Sequence, residues 1–209
     1  MQSSLFGEGK APTGESVQDV NAELLEKGRV RFPGKVFVFG TGPEDAEIVV
    51  VGESPGPPDA ATGKPFTGPA GELLRRILKS ISVDPDRCYL TNTVKFISQG
   101  DEIDSETAAF FRPYLLREVF AVAPSIIITL GNTPTRSLLN VKDSITTLRG
   151  KVADLEGIKV VPTFNPAYLL RDPTKKREVW EDMKLVRELL TSSSVRSESD
   201  MTERSKSDL

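Results

Sequence analysis

Four short segments carry residues that could do chemistry, and each follows a run rich in β-branched residues. They are GESPGPPDAATGKPFTG (52–68), Asn92, Gly131-Asn132 and FNPAYLL (164–170). The first is a long Gly/Pro loop. Its glycines permit close backbone approach to a ligand, and its amides can face an anion where the next helix begins. A plain turn is the alternative. It is not the phosphate loop GxxxxGK[ST], because Pro65 follows Gly63-Lys64 and the preceding glycine is misplaced. Phe66 is either a plug packed into its own domain or a stacking platform. Asn92, ending a buried run, caps or bridges backbone unless it meets a ligand, and Asn165-Pro166 reads by itself as turn chemistry. Each has a bland reading alone. The functional reading rests on all four lying at one edge of one sheet.

Composition removes several chemistries at once. The 209-residue chain has no histidine and one cysteine, Cys88. Ser-His-Asp and Cys-His catalysis, histidine metal ligands, disulfides and multi-thiolate zinc or iron–sulfur sites built from this chain are therefore excluded. With 27 basic and 30 acidic side chains the net charge is −3, which argues against attachment to nucleic acid by bulk charge alone. No run approaches the ~18 apolar residues of a membrane span, and the polar start MQSSLFGEGK does not read as a signal peptide.

The elements that must position the four segments follow from periodicity. Short apolar runs (36–39, 47–51, 88–91, 125–129, 159–163) alternate with helical patterns over Ala70–Ile81, Ser105–Ala121, Thr133–Leu139 and Lys175–Leu190, with Pro113 expected to kink or restart the second. Near-continuous apolar strands between helices predict an α/β fold. The expectation is a three-layer α/β/α sandwich around a mainly parallel four-stranded sheet, with ligands outside the strands' carboxyl ends. Three segments result: a loosely structured extension over 1–35 with a short helix near Val17–Leu25, a domain over 36–190, and a disordered tail over 191–209. That tail holds seven serines and seven charged residues and too little apolar surface to repay ordering.

The segments VVVGESPGPPDAATGKPFTGPAGELL, YLTNTVK, TLGNTPTRSLL and VVPTFNPAYLLRDPTKKREVWEDMKLVREL, in this order, resemble the uracil-DNA glycosylase superfamily, and within it the type called family 4. Gly52, Glu53, Pro55, Gly56, Gly63, Pro65, Phe66 and Gly68 fit the family's first motif without a gap, and the resemblance runs from about Gly34 to Leu190. It implies roles position by position. Glu53 and Ser54 hold the catalytic water near the anomeric carbon. Gly52 belongs to the base-binding group, and Asp59 lies beside the C5 edge of the flipped base. Phe66 stacks on the base and Asn92 reads the uracil edge. Leu169, Leu170 and Arg171 match the loop that fills the gap left in the helix, and Lys175, Lys176 and Arg177 form a basic patch suited to phosphates.

Two departures matter. Family 4 members typically carry a four-iron cluster on four cysteines. Here the two later ligand positions are Phe96 and Phe111, and 21–34 has no cysteine, so an apolar substitute core is expected, with no cofactor or metal. The family's HPA motif reads Asn165-Pro-Ala, which keeps a hydrogen-bond donor for the departing base but no proton to give. The family's basic stretch after Asn-x-V-K is replaced by the acidic FISQGDEID. The expected activity is therefore monofunctional excision of uracil, or a uracil-like damaged base, from DNA in base excision repair. The chain would act as a cytoplasmic, nucleoid-associated monomer. Alternatives are a catalytically weak or inactive base-binding module of the same fold, or a glycosylase for another modified base.

Overall fold

A computed structural model describes residues 14–98 and 103–207. In chain order the elements are α1 (Val17–Arg31), β1 (Ile48–Gly52), α2 (Pro57–Thr62), α3 (Pro69–Ser80), β2 (Tyr89–Asn92), α4 (Ser105–Val122), β3 (Ile126–Leu130), α5 (Asn132–Leu139), α6 (Ile145–Leu148), β4 (Ala153–Leu155), β5 (Ile158–Thr163), α7 (Pro166–Arg171) and α8 (Lys176–Ser207). The sheet order is β2-β1-β3-β5-β4, parallel throughout except for β4 against β5.

Strand alternation splits the core between two faces. Ile48 and Val50 of β1, with Ile126 and Ile128 of β3, face Leu74 and Leu78 of α3 and Met183 and Val186 of α8. Val49, Val51 and Ile127 face Leu115 and Val119 of α4 and Leu138 of α5. The three-layer expectation therefore holds, with five strands instead of four. The extra strand, β4, is a three-residue edge piece turned by Glu156-Gly157, both at positive φ as a tight hairpin requires. Such a short strand carries no periodicity to read.

The run 36–39, expected as a strand, is not one. Val38 donates one bond to Lys95 O (2.6 Å), and Thr41 exchanges two with Leu90 (2.9 and 2.8 Å). Phe37 and Phe39 instead turn into a third core of Val20, Leu24, Val94, Phe96, Phe111 and Tyr114. There Phe96 and Phe111 meet edge to face at 5.6 Å between ring centroids, and Phe32 lies 4.9 Å from the first and 5.6 Å from the second. Aromatic rings thus stand at the two positions, 96 and 111, where the resemblance implies metal ligands. The residues do not suit an iron–sulfur cluster, since no thiolate lies there and the only cysteine, Cys88, is buried between β2 and the α3 side of the sheet.

The third core also anchors the amino-terminal region. α1 is a capped helix, closed by a reciprocal Ser16–Asp19 box, and it extends to Arg31, beyond the short stretch expected. Its Val20 and Leu24 are fully buried, so 17–31 is an integral part of the domain and not loosely held. Residues 1–13 lie outside the described residues. Pro113 does not break α4. It is exposed, and so is Ala109, whose carbonyl loses its partner and is left to water. α8 continues through 191–207, where composition predicts disorder. Neither Gly nor Pro interrupts 176–207, so nothing in the backbone ends the helix. Among the described residues no helix is long and apolar enough to cross a membrane.

Candidate active site

β1 and β2 run parallel and finish together, with Gly52 opposite Asn92 in the last register pair. A methyl group on Gly52 would lie 2.6 Å from Phe66 Cζ and closer still to Asn92 Oδ1. The aromatic ring and the carboxamide therefore converge on one bare stretch of backbone, which explains the glycine. Asn92 is only 3 % exposed, yet no hydrogen bond among the described residues engages its carboxamide. Phe66 has a left-handed backbone (φ 59°) and is pinned from behind, because Gly71 of α3 leaves no room even for a Cβ against the Phe66 carbonyl. Such a conformation costs of order 1–3 kcal/mol and persists where surrounding structure enforces it.

Asp59 supplies part of that enforcement. Its Oδ2 accepts from Gly56 N (3.0 Å), and its Oδ1 accepts from Thr67 N (2.7 Å) and Thr67 Oγ1 (2.8 Å). The buried carboxylate thus staples α2 to the residue after Phe66, with both oxygens engaged inside the loop. Sequence reasoning placed Asp59 beside a base; the geometry gives its oxygens to the loop that presents the ring.

One residue along, the cleft opens. Glu53, Asn165, Tyr168, Arg171 and Lys175 line a depression of about 420 Å³ together with Thr133 and Arg136. Thr133 donates to Glu53 Oε1 (2.9 Å), no described residue bonds Oε2, and the Glu53 carbonyl accepts from Val94 N (3.0 Å). Ser54 follows, half-buried. Asn165 is the N-cap of α7. Its Oδ1 accepts from Ala167 N (2.9 Å) and its Nδ2 donates a long bond to Leu130 O (3.4 Å), so one amide N–H has no partner among the described residues. Gly131, at φ 100°, brings β3's end beside Asn165 Cβ.

Gly52, Phe66 and Asn92 are not part of this cleft's lining; they meet it through the Gly52–Glu53 peptide. The residues matched to DNA contacts divide likewise. Arg171 and Lys175 face the cleft, Lys175 sharing an ion pair with Glu178 (3.0 Å). Leu170 stands 48 % exposed on α7, and Lys176 lies on α7's far side beside Leu169 and Trp180.

Two ion pairs, one buried and one half-buried, support the strand ends, and sequence reading missed both. Under β5, Arg149 forks onto Asp182 (2.7 and 3.1 Å), which also accepts from Thr163 Oγ1 (2.7 Å). The guanidinium lies 5.5 Å over the ring of Phe164, Asn165's neighbour. Burial pushes the Asp182 carboxyl above its ordinary pKa. Under β2 the pair is Lys95–Glu118. The available signal was a charge stranded in apolar runs, TNTVKF and LLREVFAV, because a buried charge demands a partner. Cys88 is buried, and that burial, then Asp84 and Asp86, push its thiol up to about 12.

This is an α/β fold with its polar groups gathered at the carboxyl ends of parallel strands, the arrangement of a ligand-binding or catalytic α/β domain. The chain belongs to the uracil DNA glycosylase superfamily, whose family model matches residues 39–184. It is 32 % identical over 186 residues to the type-4 uracil-DNA glycosylase of Archaeoglobus fulgidus, covering 84 % of this chain and 94 % of the relative. It is 38 % identical over 151 residues to the type-4 enzyme of Thermotoga maritima (70 % and 79 % covered), and 37 % over 164 residues to that of Sulfurisphaera tokodaii (73 % and 74 %).

Proposed function

We propose that this protein excises uracil from DNA by hydrolysing its N-glycosidic bond, as the first step of base excision repair. The observation that carries the reading is the convergence of the Phe66 ring and the unengaged Asn92 carboxamide over Gly52, one peptide from the Glu53 cleft. A flipped pyrimidine stacked on Phe66 gains ~1–3 kcal/mol. The Asn92 amide donates to uracil O4 and accepts from N3–H, a pattern that cytosine mismatches at both atoms. Glu53 Oε2, with Ser54, orients water toward C1′. The water oxygen bonds to C1′ as the C1′–N1 bond breaks, its proton passes to Glu53 Oε2, and the electron pair leaves on the base, where the Asn165 N–H supports the charge at O2. Asp59 acts one step back, holding the loop that fixes Phe66. Leu170 and Arg171 fill the vacated stack, and Lys175 and Lys176 contact phosphates on either side of α7.

Flipping costs least where the base is unpaired or mispaired, so single-stranded and G·U uracil are cut faster than A·U. The test is single-turnover incubation with labelled oligonucleotides of all three kinds, followed by alkaline cleavage, with Asn92→Ala beside the wild type. Scission that the substitution removes supports the reading. No scission with protein in large excess overturns it, and a panel of modified bases then separates another glycosylase from a binding module.

A further inference from the structure

We infer that Lys95 is a positioning residue for both halves of the site, acting through the main chain of residues 92–94. The inference rests on the reading above of Asn92 and Glu53. Lys95 and Glu118 are each 1 % exposed. The ammonium has three N–H groups and three acceptors: Glu118 Oε2 (2.5 Å), Thr91 Oγ1 (2.6 Å) and the backbone carbonyl of Asn92 (2.8 Å). Glu118 Oε1 accepts from Tyr89 OH and Thr91 Oγ1 (both 2.9 Å). The network is closed and sealed, because even a methyl on Gly40 would come within 2.6 Å of Glu118 Oε1. No substrate reaches it.

A buried ion pair of this kind is weak evidence for stability, since well-packed apolar residues often serve as well. What an apolar pair lacks is a directed bond to the Asn92 carbonyl. That bond sits where the β2 ladder ends, and the next residues grip the neighbouring loop. Thr93 N and Oγ1 both donate to Gly52 O (2.8 and 3.0 Å), and Val94 N donates to Glu53 O (3.0 Å). Lys95 closes the strap by accepting from Val38 N through its own carbonyl (2.6 Å). Residues 92–95 therefore link the amide that reads the base to the carboxylate that orients water, and the Lys95 side chain fixes the strap's first peptide. Releasing that peptide moves both groups together.

The test uses the full chain with Lys95→Met/Glu118→Gln, which leaves no unpaired buried charge and keeps an acceptor for Tyr89 and Thr91. Because a displacement of about 1 Å costs ~10²-fold, a partial release lowers the single-turnover rate on uracil-containing single strands by at least ~10-fold. The oligonucleotide Kd stays within about threefold, since no DNA-contacting group is touched. Added to Asn92→Ala, the pair of substitutions costs less than it does in the wild-type background, because the share of its effect that passes through Asn92 is already lost while the share through Glu53 remains. If the double variant does not fold, Thr91→Val, which removes one of the three acceptors, gives the same pattern at smaller amplitude. A wild-type single-turnover rate in the folded variant, or full additivity with Asn92→Ala, overturns the proposal while leaving the Asn92 reading intact. Full activity in Asn92→Ala overturns that reading instead.

Discussion

Gly52→Ala probes the convergence at the heart of the site with a single carbon. The added Cβ would sit 2.6 Å from Phe66 Cζ, where ordinary contact begins at 3.4 Å, so the ring must retreat by about 0.8 Å and the Asn92 amide by more. Neither retreats freely. Phe66 is held by Gly71 at its back and by the Asp59 staple at its side, and Asn92 is the last residue of a paired strand. Displacements of this size cost ~10²-fold in rate, or ~2.7 kcal/mol of transition-state stabilisation, and overpacking takes a further ~1–3 kcal/mol from stability. The assay is single-turnover excision from a uracil-containing single strand, with the thermal midpoint recorded alongside. Gly56→Ala is the control. Its Cβ would meet only Pro58 Cδ, at an ordinary 3.6 Å, and its rate stays within about twofold of wild type. A folded Gly52→Ala enzyme with the wild-type rate would show that ring and amide do not meet the base where the geometry brings them together.

Asn165→Ala loses both the α7 cap and the donor to the departing base, so stability falls by ~1 kcal/mol and single-turnover rate by up to ~10²–10³-fold. Asn165→Ser, a good cap without the amide, keeps the midpoint but not the rate; a full rate in Ser would assign the residue to capping alone. With no histidine in the chain, the wild-type rate is flat between about pH 6 and 7.5, and a steep sigmoid in a pH–rate profile would contradict this. Glu23 is held near pKa 2, first by Arg117 and then by Lys27. Because that folded value lies below the ordinary 4.5, its contribution is present above 4.5 and disappears as pH falls toward 2. Thermal midpoints of Glu23→Gln are correspondingly less steep across that window, and parallel curves would refute the linkage. Phe111→Ala empties a fully buried position at the centre of the aromatic core and costs ~3–5 kcal/mol in urea unfolding; a loss under ~1 kcal/mol would mean the core is loosely packed.

The central strands were legible because β1, β3 and most of β5 are buried on both faces and read as unbroken apolar runs. The same signal misled at 36–39. A run apolar at every position does not say what covers it: Val36 stands exposed, and Phe37 and Phe39 are half-buried against other aromatic rings rather than sheet neighbours. Along the rim, residue types drew attention to Gly52, Phe66, Asn92 and Asn165, and the fold brings all four to the strand ends. Asp59 shows the limit. A carboxylate in a rim loop announces an acceptor, but only coordinates reveal that two backbone amides and a hydroxyl already occupy it. Thr133 was passed over although Gly131-Asn132 marked its neighbourhood, because a hydroxyl facing Glu53 across 80 positions of chain leaves no pattern along the sequence.

The core of Phe32, Phe37, Phe96, Phe110 and Phe111 has a consequence for how this domain comes into being. Where a metal cluster joins the amino-terminal region to the sheet, maturation needs iron, sulfide and their delivery, and oxidants can undo it. Here the same junction is closed by side chains that arrive with the polypeptide. α1 docks onto α4 by apolar collapse, whose strength follows temperature through a heat-capacity change and is indifferent to chelators and redox poise. That junction therefore forms from groups the polypeptide itself carries, and its closure calls on nothing delivered from outside.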